Sequence, residues 1–522
     1  LSIKASSHRI TLINASGKPT LFVALDPQCR IQLARKIIYD NDRAISLLHL
    51  DNGLAPSGRS EPVNPEVPQA SDPGGIRVGI IDSGVNYLLP EIYQRLARDT
   101  DNNILGYDYW DLDAQPFDSN PAKSDFFPQR HGTRTASLLL REAPGASLVP
   151  YRYPRPDMTR IATLIEHAAN NNVRIIAMPL GSNNRDEWLP FYASAKVHPE
   201  ILFIISSGNN GLDIDEHPIY PAAFDLDNLI TVSAADETPV PAVMTNWGKT
   251  STDILLPADR QFATDFDGNE KMVSGTSYAV SRIAALAARI AQQHQGWGAV
   301  QIKQQVLSMT DKDQATQYTA YGLLHDPLSD TAHVERLSSE TIPSDSAGDN
   351  EAAKLGVQIV LLENSGWTIQ QARKAALQAQ EIYRQCNIAV DMTLSRYSVS
   401  GYLLDFHSLS SRTLIDRTHI TGPAIFLVRD TRRLEAFGGE AFGNINTRSM
   451  PWLSNTAWMI TEQPDTGIIM AHELFHILVD SGDHSSEPGN LMNEQTSPAN
   501  TRITASQCEL LKSSRLFKKG PA

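Results

Sequence analysis

The chain has only three cysteines in 522 residues. That number is too small for a disulfide-based scaffold, so the fold must depend on hydrophobic cores. No apolar run approaches the roughly eighteen residues of a membrane span, and we expect no transmembrane segment. Basic residues are also scarce, with 45 Lys and Arg against 59 Asp and Glu and a formal net charge of −14. This balance disfavours phosphate binding, so we expect no nucleic-acid partner.

An initiator methionine and internal repeats are absent as well. The chain begins at Leu1, so we expect a processed or trimmed chain that a signal peptide could have preceded. The composition itself is globular, with 41% hydrophobic and 20% charged residues. A chain of this length exceeds one ordinary core and predicts two or three domains. The oligomeric state does not follow from the sequence.

Changes in composition divide the chain into segments. Residues 1–73 contain short apolar alternations, and both an accessory domain and a propeptide fit them. The Pro-, Ser- and Gly-rich stretch 55–75 predicts a linker. The polar, acidic stretch 338–353 predicts a second linker. It separates residues 74–337 from residues 354–522, which are numerous enough for a domain of their own.

Residues 74–337 alternate short apolar segments with helical ones. Buried strands are predicted at 76–81, 173–178, 202–205 and 229–232. The helical segment 158–169 has an apolar face formed by Ile161, Leu164, Ile165 and Ala168. This alternation predicts an α/β fold with a mainly parallel sheet that is covered on both faces.

Four separated motifs each supply one part of an acyl-transfer site. They are GIRVGIIDSGV with Asp82, QRHGTRTASLLL with His131, ILFIISSGNNG with Asn209, and VSGTSYAVSRIAALAARIA with Ser277. Ser277 would attack the scissile carbonyl, His131 would accept and return its proton, and Asp82 would orient the imidazole. The amide of Asn209 would donate to the developing oxyanion.

Together these motifs resemble the subtilase family of serine peptidases, in which the triad has the order Asp, His, Ser. The resemblance covers about residues 75–334. It implies a subtilisin-like doubly wound parallel sheet, endopeptidase activity, and protein or peptide substrates. The alternative is an inactive subtilase fold that serves for binding. Calcium could bind as well, although no sequence pattern indicates a site for it.

Two positions depart from the family pattern. Val280 and Ser281 stand where a proline is usual, and Pro179 stands where the substrate-binding strand usually has a serine. Because Pro179 has no backbone N–H, we expect it to reshape the specificity pocket. Neither departure removes a catalytic atom.

A second candidate site lies near the C-terminus, where residues 472–476 have the sequence His-Glu-Leu-Phe-His. On a helix, His472 and His476 lie one turn apart on the same face and can bind one Zn²⁺. Glu473 would serve as the general base for a water molecule that the metal activates. His484 is the nearest candidate for a third ligand.

The segment resembles metzincin-type metallopeptidases, which have a third histidine beyond a glycine and then a methionine turn, here residues 490–492 with Met492 under the metal. His484 lies two positions beyond the family spacing, so Asp480 and Asp483 remain alternative ligands. Upstream, one helical stripe contains Ile369, Ala372, Ala376, Ala379 and Tyr383, and GPAIFLV and TAWMIT are predicted strands. The resemblance implies a smaller α+β zincin-like domain that binds zinc and carries a second peptidase site.

Other interpretations of this half remain open. The two histidines could lie on the surface of an amphipathic helix, or the zinc could be structural. The whole chain could also be a scaffold of two inactive peptidase folds. Cys386 and Cys508 fit either a disulfide or two buried free thiols. A disulfide would indicate a secreted or periplasmic protein.

Overall fold

The computed structural model describes residues 8–41, 43–155, 157–344, 353–431, 439–443, 447–461, 465–494 and 497–517. The chain divides into two compact units, Leu1–Asp236 with Val240–Leu324, and Glu237–Pro239 with His325–Ala522. In the part described, no helix combines the length and the apolar character that crossing a bilayer requires.

The first unit begins with a five-stranded antiparallel sheet. Its strands, in sheet order, are β1 (His8–Ile13), β2 (Pro19–Leu25), β3 (Ile31–Asp40), β4 (Arg43–Leu50) and β5 (Pro56–Pro62). The predicted linker 55–75 is therefore wrong over β5. This strand lies at an edge of the sheet, where proline is tolerated because the outer side of the strand needs no N–H.

The larger part of the first unit is a seven-stranded sheet whose neighbouring strands are all parallel. Its strands are β6 (Ile76–Asp82), β7 (Tyr107–Asp108), β8 (Ala146–Arg152), β9 (Ile175–Met178), β10 (Leu202–Ser206), β11 (Leu229–Ala235) and β12 (Ile254–Pro257). The order across the sheet is β12-β11-β10-β9-β6-β8-β7. The predicted parallel α/β sheet is confirmed.

Helices cover both faces of this sheet. They are α1 (Pro90–Tyr93), α2 (Gly132–Glu142), α3 (Ile161–Asn170), α4 (Leu189–Val197), α5 (Thr276–Gln293) and α6 (Ala299–Ser308); a hairpin of β13 (Gln261–Thr264) and β14 (Glu270–Val273) precedes α5. Along β6, Val78 and Ile80 join the core on one face and Ile81 joins the core on the other. The predicted apolar face of α3 is fully buried in the second of these cores.

The second unit contains a six-stranded mixed sheet. Its strands are β15 (Val334–Ile342), β16 (Ala353–Leu362), β17 (Ile388–Val399), β18 (Ala424–Leu427), β19 (Gly439–Phe442) and β20 (Thr456–Met459), in the order β15-β17-β16-β18-β20-β19. The four central strands are parallel, and both edge strands are antiparallel to their neighbours. The two predicted strands appear as β18 and β20.

The helices of this unit are α7 (Ile369–Arg384), α8 (Ser411–Thr418), α9 (Thr466–Val479) and α10 (Ala505–Lys512). The predicted stripe lies on α7, where all its members except the half-buried Ile369 are buried. A disulfide joins Cys386 to Cys508, while Cys29 is exposed and free. The structure thus has the disulfide rather than two buried thiols.

The second predicted linker is also wrong over part of its length. Residues 338–342 belong to β15, which pairs with β17, and the second unit starts at His325 rather than after residue 353. β15 is an edge strand with mostly exposed side chains, so its composition resembles that of a linker. Residues 345–352 of the predicted linker lie outside the described residues.

Candidate functional site

Asp82 ends β6 at the carboxyl edge of the parallel sheet, and its side chain is buried. Both carboxylate oxygens lie 2.8 Å from Nδ1 of His131. The backbone N–H of Ser83 and the hydroxyl of Thr135 donate to the same carboxylate at 2.7 and 2.9 Å. The carboxylate is thus held in place and fixes the imidazole with Nε2 directed away from it.

The charges around His131 favour its protonated form. Burial lowers the pKa of His131, but the charge and hydrogen bond of Asp82 and the charge of Asp118 raise it above its ordinary value. The charge of Arg134 opposes them. A ring whose imidazolium is stabilised in this way is suited to accept a proton at Nε2 and to return it.

Asp118 anchors the backbone that carries His131. Its carboxylate accepts hydrogen bonds from the hydroxyl of Ser83 at 2.7 Å, from the backbone N–H of His131 at 3.3 Å and from that of Thr133 at 3.0 Å. Burial raises the pKa of Asp118. His131 is the N-cap residue of α2, so Asp118 secures the first turn of this helix. Asp118 was not predicted, because no motif marks a carboxylate that acts through backbone N–H groups.

Ser277 is the second residue of α5 and follows a glycine that the turn requires. Gly275 has φ +126°, in the region that residues with a side chain rarely adopt. A Cβ at Gly275 would also lie 3.2 Å from Oδ1 of Asn209. The ring of Tyr278 lies 6.2 Å from that of His131, which places the start of α5 beside the imidazole.

Asn209 follows β10 and has a defined amide orientation. Its Oδ1 accepts hydrogen bonds from the backbone N–H and the hydroxyl of Thr276, both at 3.1 Å. Because an amide nitrogen could not accept these bonds, the NH₂ group occupies the other position and can donate to an oxyanion. Asn209 is exposed and lines a cleft of about 1020 Å³.

A second cavity, of about 280 Å³, shares lining residues with this cleft, and His131, Asn120 and Gln129 help to line it. Pro179 lines both cavities, so this departure from the family pattern does lie at the cleft. Glu216 contributes the carboxylate in the lining of the larger cavity.

The other departure occurs inside α5, where the helix continues without the usual proline. The hydroxyl of Ser281 donates to the backbone oxygen of Ser277 at 3.2 Å. The next residue, Arg282, forms a buried ion pair with Glu142 of α2 at 2.7 Å. The ion pair connects α5 to α2.

In the second unit, three histidines converge. His472 and His476 lie on α9, and His484 follows it. Their candidate ligand nitrogens all lie within 4.8 Å of one another. The Nε2 atoms of His472 and His476 are 3.0 Å apart, and the ring of His484 lies 5.3 and 5.0 Å from their rings.

Backbone carbonyl groups fix the tautomers of the two helical histidines. Nδ1 of His472 donates to the oxygen of Leu491 at 2.8 Å, and Nδ1 of His476 donates to the oxygen of Ser481 at 2.7 Å. Burial lowers the pKa of His472 to about 4 and also lowers that of His476, which favours the neutral form of both rings. Two Nε2 lone pairs therefore face each other, an arrangement that a bound cation stabilises.

The remaining predicted residues surround this cluster. Among the residues that the structure describes, neither Asp480 nor Asp483 belongs to the candidate ligand group, and Asp483 accepts a hydrogen bond from the hydroxyl of Ser481. Glu473 and Met492 are buried. Of the three candidates, His484 is therefore the one that the structure groups with the two helical histidines.

Comparison with known proteins concerns the first unit. Residues 74–323 match the model of the subtilase family. The thermophilic serine proteinase of Bacillus sp. (strain AK1) is 26% identical over 266 residues, which are 48% of this chain and 60% of that protein. Subtilisin BL of Lederbergia lenta is 24% identical over 264 residues, which are 48% of this chain and 89% of that protein.

Among solved structures, a cold-adapted subtilisin-like serine proteinase is 23% identical with a TM-score of 0.41, over 48% of this chain and 89% of that one. The chain spans 60% of the length of the strain AK1 proteinase and of a subtilisin from Bacillus sp. (strain TA39). The family match at residues 74–323 includes all four motifs of the first site. Residues 74–323 therefore form a domain of the subtilase family.

Proposed function

We propose that residues 74–323 hydrolyse peptide bonds within protein or peptide substrates by a Ser-His-Asp mechanism. The observation that carries this proposal is the imidazole of His131, which Asp82 holds through Nδ1 at 2.8 Å. Ser277, at the start of the helix beside that ring, would lose its proton to Nε2 of His131 and attack the carbonyl carbon. His131 would then return the proton to the leaving amine.

The negative charge that develops on the carbonyl oxygen needs hydrogen-bond donors. The NH₂ group of Asn209 is one, because Thr276 holds the oxygen end of this amide. The backbone N–H of Ser277 is a second, because N–H groups in the first turn of a helix have no partner within it. Loss of one such donor lowers kcat by about 10²–10³, a range established on a subtilisin.

Labelling with a fluorophosphonate tests this proposal. The wild-type protein should be labelled and should hydrolyse a denatured protein, and Ser277→Ala should do neither because it lacks the nucleophilic oxygen. Ser274→Ala is a matched control, since Ser274 lies in the same loop but its hydroxyl accepts a hydrogen bond from the N–H of Arg260. An unlabelled wild-type protein would favour an inactive binding fold.

We also propose that the second unit binds one zinc ion through His472, His476 and His484. The support is the convergence of two Nε2 atoms whose rings are held at Nδ1 by backbone oxygens. Neutral imidazoles with such partners suit zinc. When bound, zinc supplies a Lewis acid that polarises a carbonyl and makes water more acidic. Glu473 would accept a proton as the base of a second peptidase reaction.

Metal analysis of protein purified without chelators tests the zinc site. About one zinc ion per chain is expected, and His472→Ala should release it because two remaining ligands rarely retain zinc. His333→Ala is a control in the same unit, since His333 is exposed and pairs with Glu335. Glu473→Gln should retain zinc but lose chelator-sensitive hydrolysis. Zinc without any chelator-sensitive activity in the wild-type protein would favour a structural metal.

Finally, we propose that the protein is secreted or periplasmic. The disulfide between Cys386 and Cys508 supports this, because such bonds persist in oxidising compartments. Mass spectrometry should find both cysteines oxidised in protein from its native source. Two free thiols would contradict export.

A further inference from the structure

The N-terminal sheet, β1–β5, packs on the long connection that precedes α2. Its small core consists of Ile37 and Leu47 from the sheet and Phe126 from that connection. Phe22 extends the core, with its ring 5.7 Å from that of Phe126 and 5.1 Å from that of Phe127. The subtilase-family domain thus supplies one of the buried side chains of the sheet's core.

Polar contacts strengthen this attachment. Arg35 of β3 donates to the backbone oxygen of Phe126 at 2.8 Å, and its guanidinium carbon lies 4.5 Å from the ring centre of Phe127. Arg43 of β4 forms an ion pair with Asp113 at 2.7 Å. The sheet therefore holds both ends of residues 113–127.

The contact nearest to the catalytic residues involves Glu61 of β5. One carboxylate oxygen of Glu61 lies 3.3 Å from Arg130, and the other lies 2.7 Å from Nε2 of His49. Arg130 is 12% exposed, stacks 3.8 Å from the ring centre of Phe266, and donates to the backbone oxygen of Asp118. Charged side chains this far removed from water are held firmly, because a partner lost there leaves a charge unpaired.

Arg130 and Asp118 connect Glu61 to the catalytic histidine. Arg130 immediately precedes His131, and the carboxylate of Asp118 accepts the backbone N–H groups of His131 and Thr133. A displacement of Arg130 would therefore move the backbone at the start of α2. The position of the imidazole depends on that backbone.

The same connection forms part of the cleft wall. Asn120 and Gln129 line the cavity next to His131, and the N–H of Gln129 donates to the oxygen of Asn120 at 2.8 Å. In contrast, within the described part of the chain, the residues that line the two cleft cavities all follow residue 75. The sheet touches the segment that shapes the cleft without contributing to its lining.

We propose that Glu61 is a positioning residue for the serine peptidase reaction, and that the N-terminal sheet is a permanent brace for residues 118–131 rather than an inhibitory segment that occupies the cleft. The proposal rests on the serine peptidase function proposed above. Glu61 acts through Arg130 on the backbone of His131 and on the cleft wall.

Kinetic measurements on Glu61→Gln test whether Glu61 helps to position His131. This change removes the charge that pairs with Arg130 but keeps the size of the side chain. We expect kcat/KM to fall by roughly tenfold to a hundredfold, with kcat reduced and KM raised, because misplacing a catalytic group by about 1 Å has effects of this size. Glu200→Gln is the matched control, since Glu200 pairs with His198 at the surface of the same unit, and it should leave kcat and KM unchanged.

A second variant tests whether Glu61 acts through Arg130. If it does, Glu61→Gln should add little to the loss of kcat/KM caused by Arg130→Gln, because both changes remove the same interaction. Losses that multiply in the double variant would show that Glu61 acts by another route and would overturn the proposed connection.

Hydrogen exchange gives a readout that needs no activity. In Glu61→Gln, amides of residues 118–135 should exchange about tenfold faster or more, because a hydrogen bond between charged groups has been lost. Amides of α6 should exchange as in the wild-type protein. Unchanged exchange rates of the amides in residues 118–135, or faster exchange throughout the first unit, would overturn the proposal that the sheet supports residues 118–131. A wild-type protein that no fluorophosphonate labels would refute the peptidase function. The exchange experiment would still test whether the N-terminal sheet supports residues 118–131, because it does not depend on activity.

Discussion

At the scale of single residues, the raised pKa of His131 determines the pH range in which the first site can work. Below that pKa the ring is an imidazolium and cannot accept the proton of Ser277, whereas the neutral ring above it can. Burial lowers the pKa of His131, but Asp82 and Asp118 raise it by more than burial and Arg134 lower it. We expect activity to be lost as the pH falls through a pKa above the ordinary value of 6.5. The acid side of the pH profile of kcat/KM, called here the acid limb, measures this pKa directly.

Arg134→Gln checks the sign of that effect. The charge of Arg134 lowers the pKa of His131, so its removal should move the acid limb to still higher pH. Titration of His131 by NMR in the Ser277→Ala variant gives the same pKa without turnover. If the acid limb of the wild-type protein gave a pKa at or below 6.5, it would contradict the electrostatic account of the site.

Sequence motifs predicted the candidate catalytic residues, but not the residues that support them. Asp82 and His131 occur in sequence motifs that indicate their chemical roles, and in the structure their side chains are in contact. Asp118 stands in no motif, because its role depends on how a connection folds back on α2. The sequence left His484 and the two aspartates open as candidates, and the structure groups His484 with the two helical histidines, since the position of such a residue depends on how the loop after α9 folds.

At the scale of elements, the disulfide joins the segment after α7 to α10, across 122 residues of sequence. We expect the double variant Cys386→Ser/Cys508→Ser to lower the free energy of unfolding of the second unit by about 2–5 kcal/mol, because without the cross-link the unfolded chain is no longer closed into a loop and has more conformational entropy. Denaturant unfolding measures the loss. Cys29→Ser is the control, since Cys29 is exposed and free, and it should leave stability unchanged.

Several central strands were predicted from the sequence, among them β6, β9, β10 and β11, whereas the edge strands β5 and β15 were predicted as linkers. β10 is buried along its whole length, so its sequence is a continuous apolar run between polar segments. β5 and β15 expose most of their side chains, and their Pro-, Ser- and Glu-rich sequences resemble linkers. Only pairing with a neighbouring strand distinguishes such a segment from a linker, and that pairing is not local in sequence.

At the scale of the whole molecule, each candidate site lies within one compact unit. Each unit also has its own hydrophobic core. We therefore expect the two activities to be separable: Ser277→Ala should remove fluorophosphonate-sensitive hydrolysis and leave chelator-sensitive hydrolysis, and Glu473→Gln should do the reverse. Inhibition assays on both variants, with each inhibitor alone and with both together, measure this. Loss of both activities in either single variant would show that the sites are coupled.

Because Phe126 belongs to the core of the N-terminal sheet, this sheet is not a transferable module. A hybrid protein that received residues 8–62 alone would lack that aromatic ring over Ile37 and Leu47. A hybrid that also received residues 113–130 would keep the core whole. The composition of the sequence suggests a domain boundary near residue 75. A crossover there would separate the N-terminal sheet from residues 113–130, which complete its core. The workable crossover for recombination or gene fusion lies after α2.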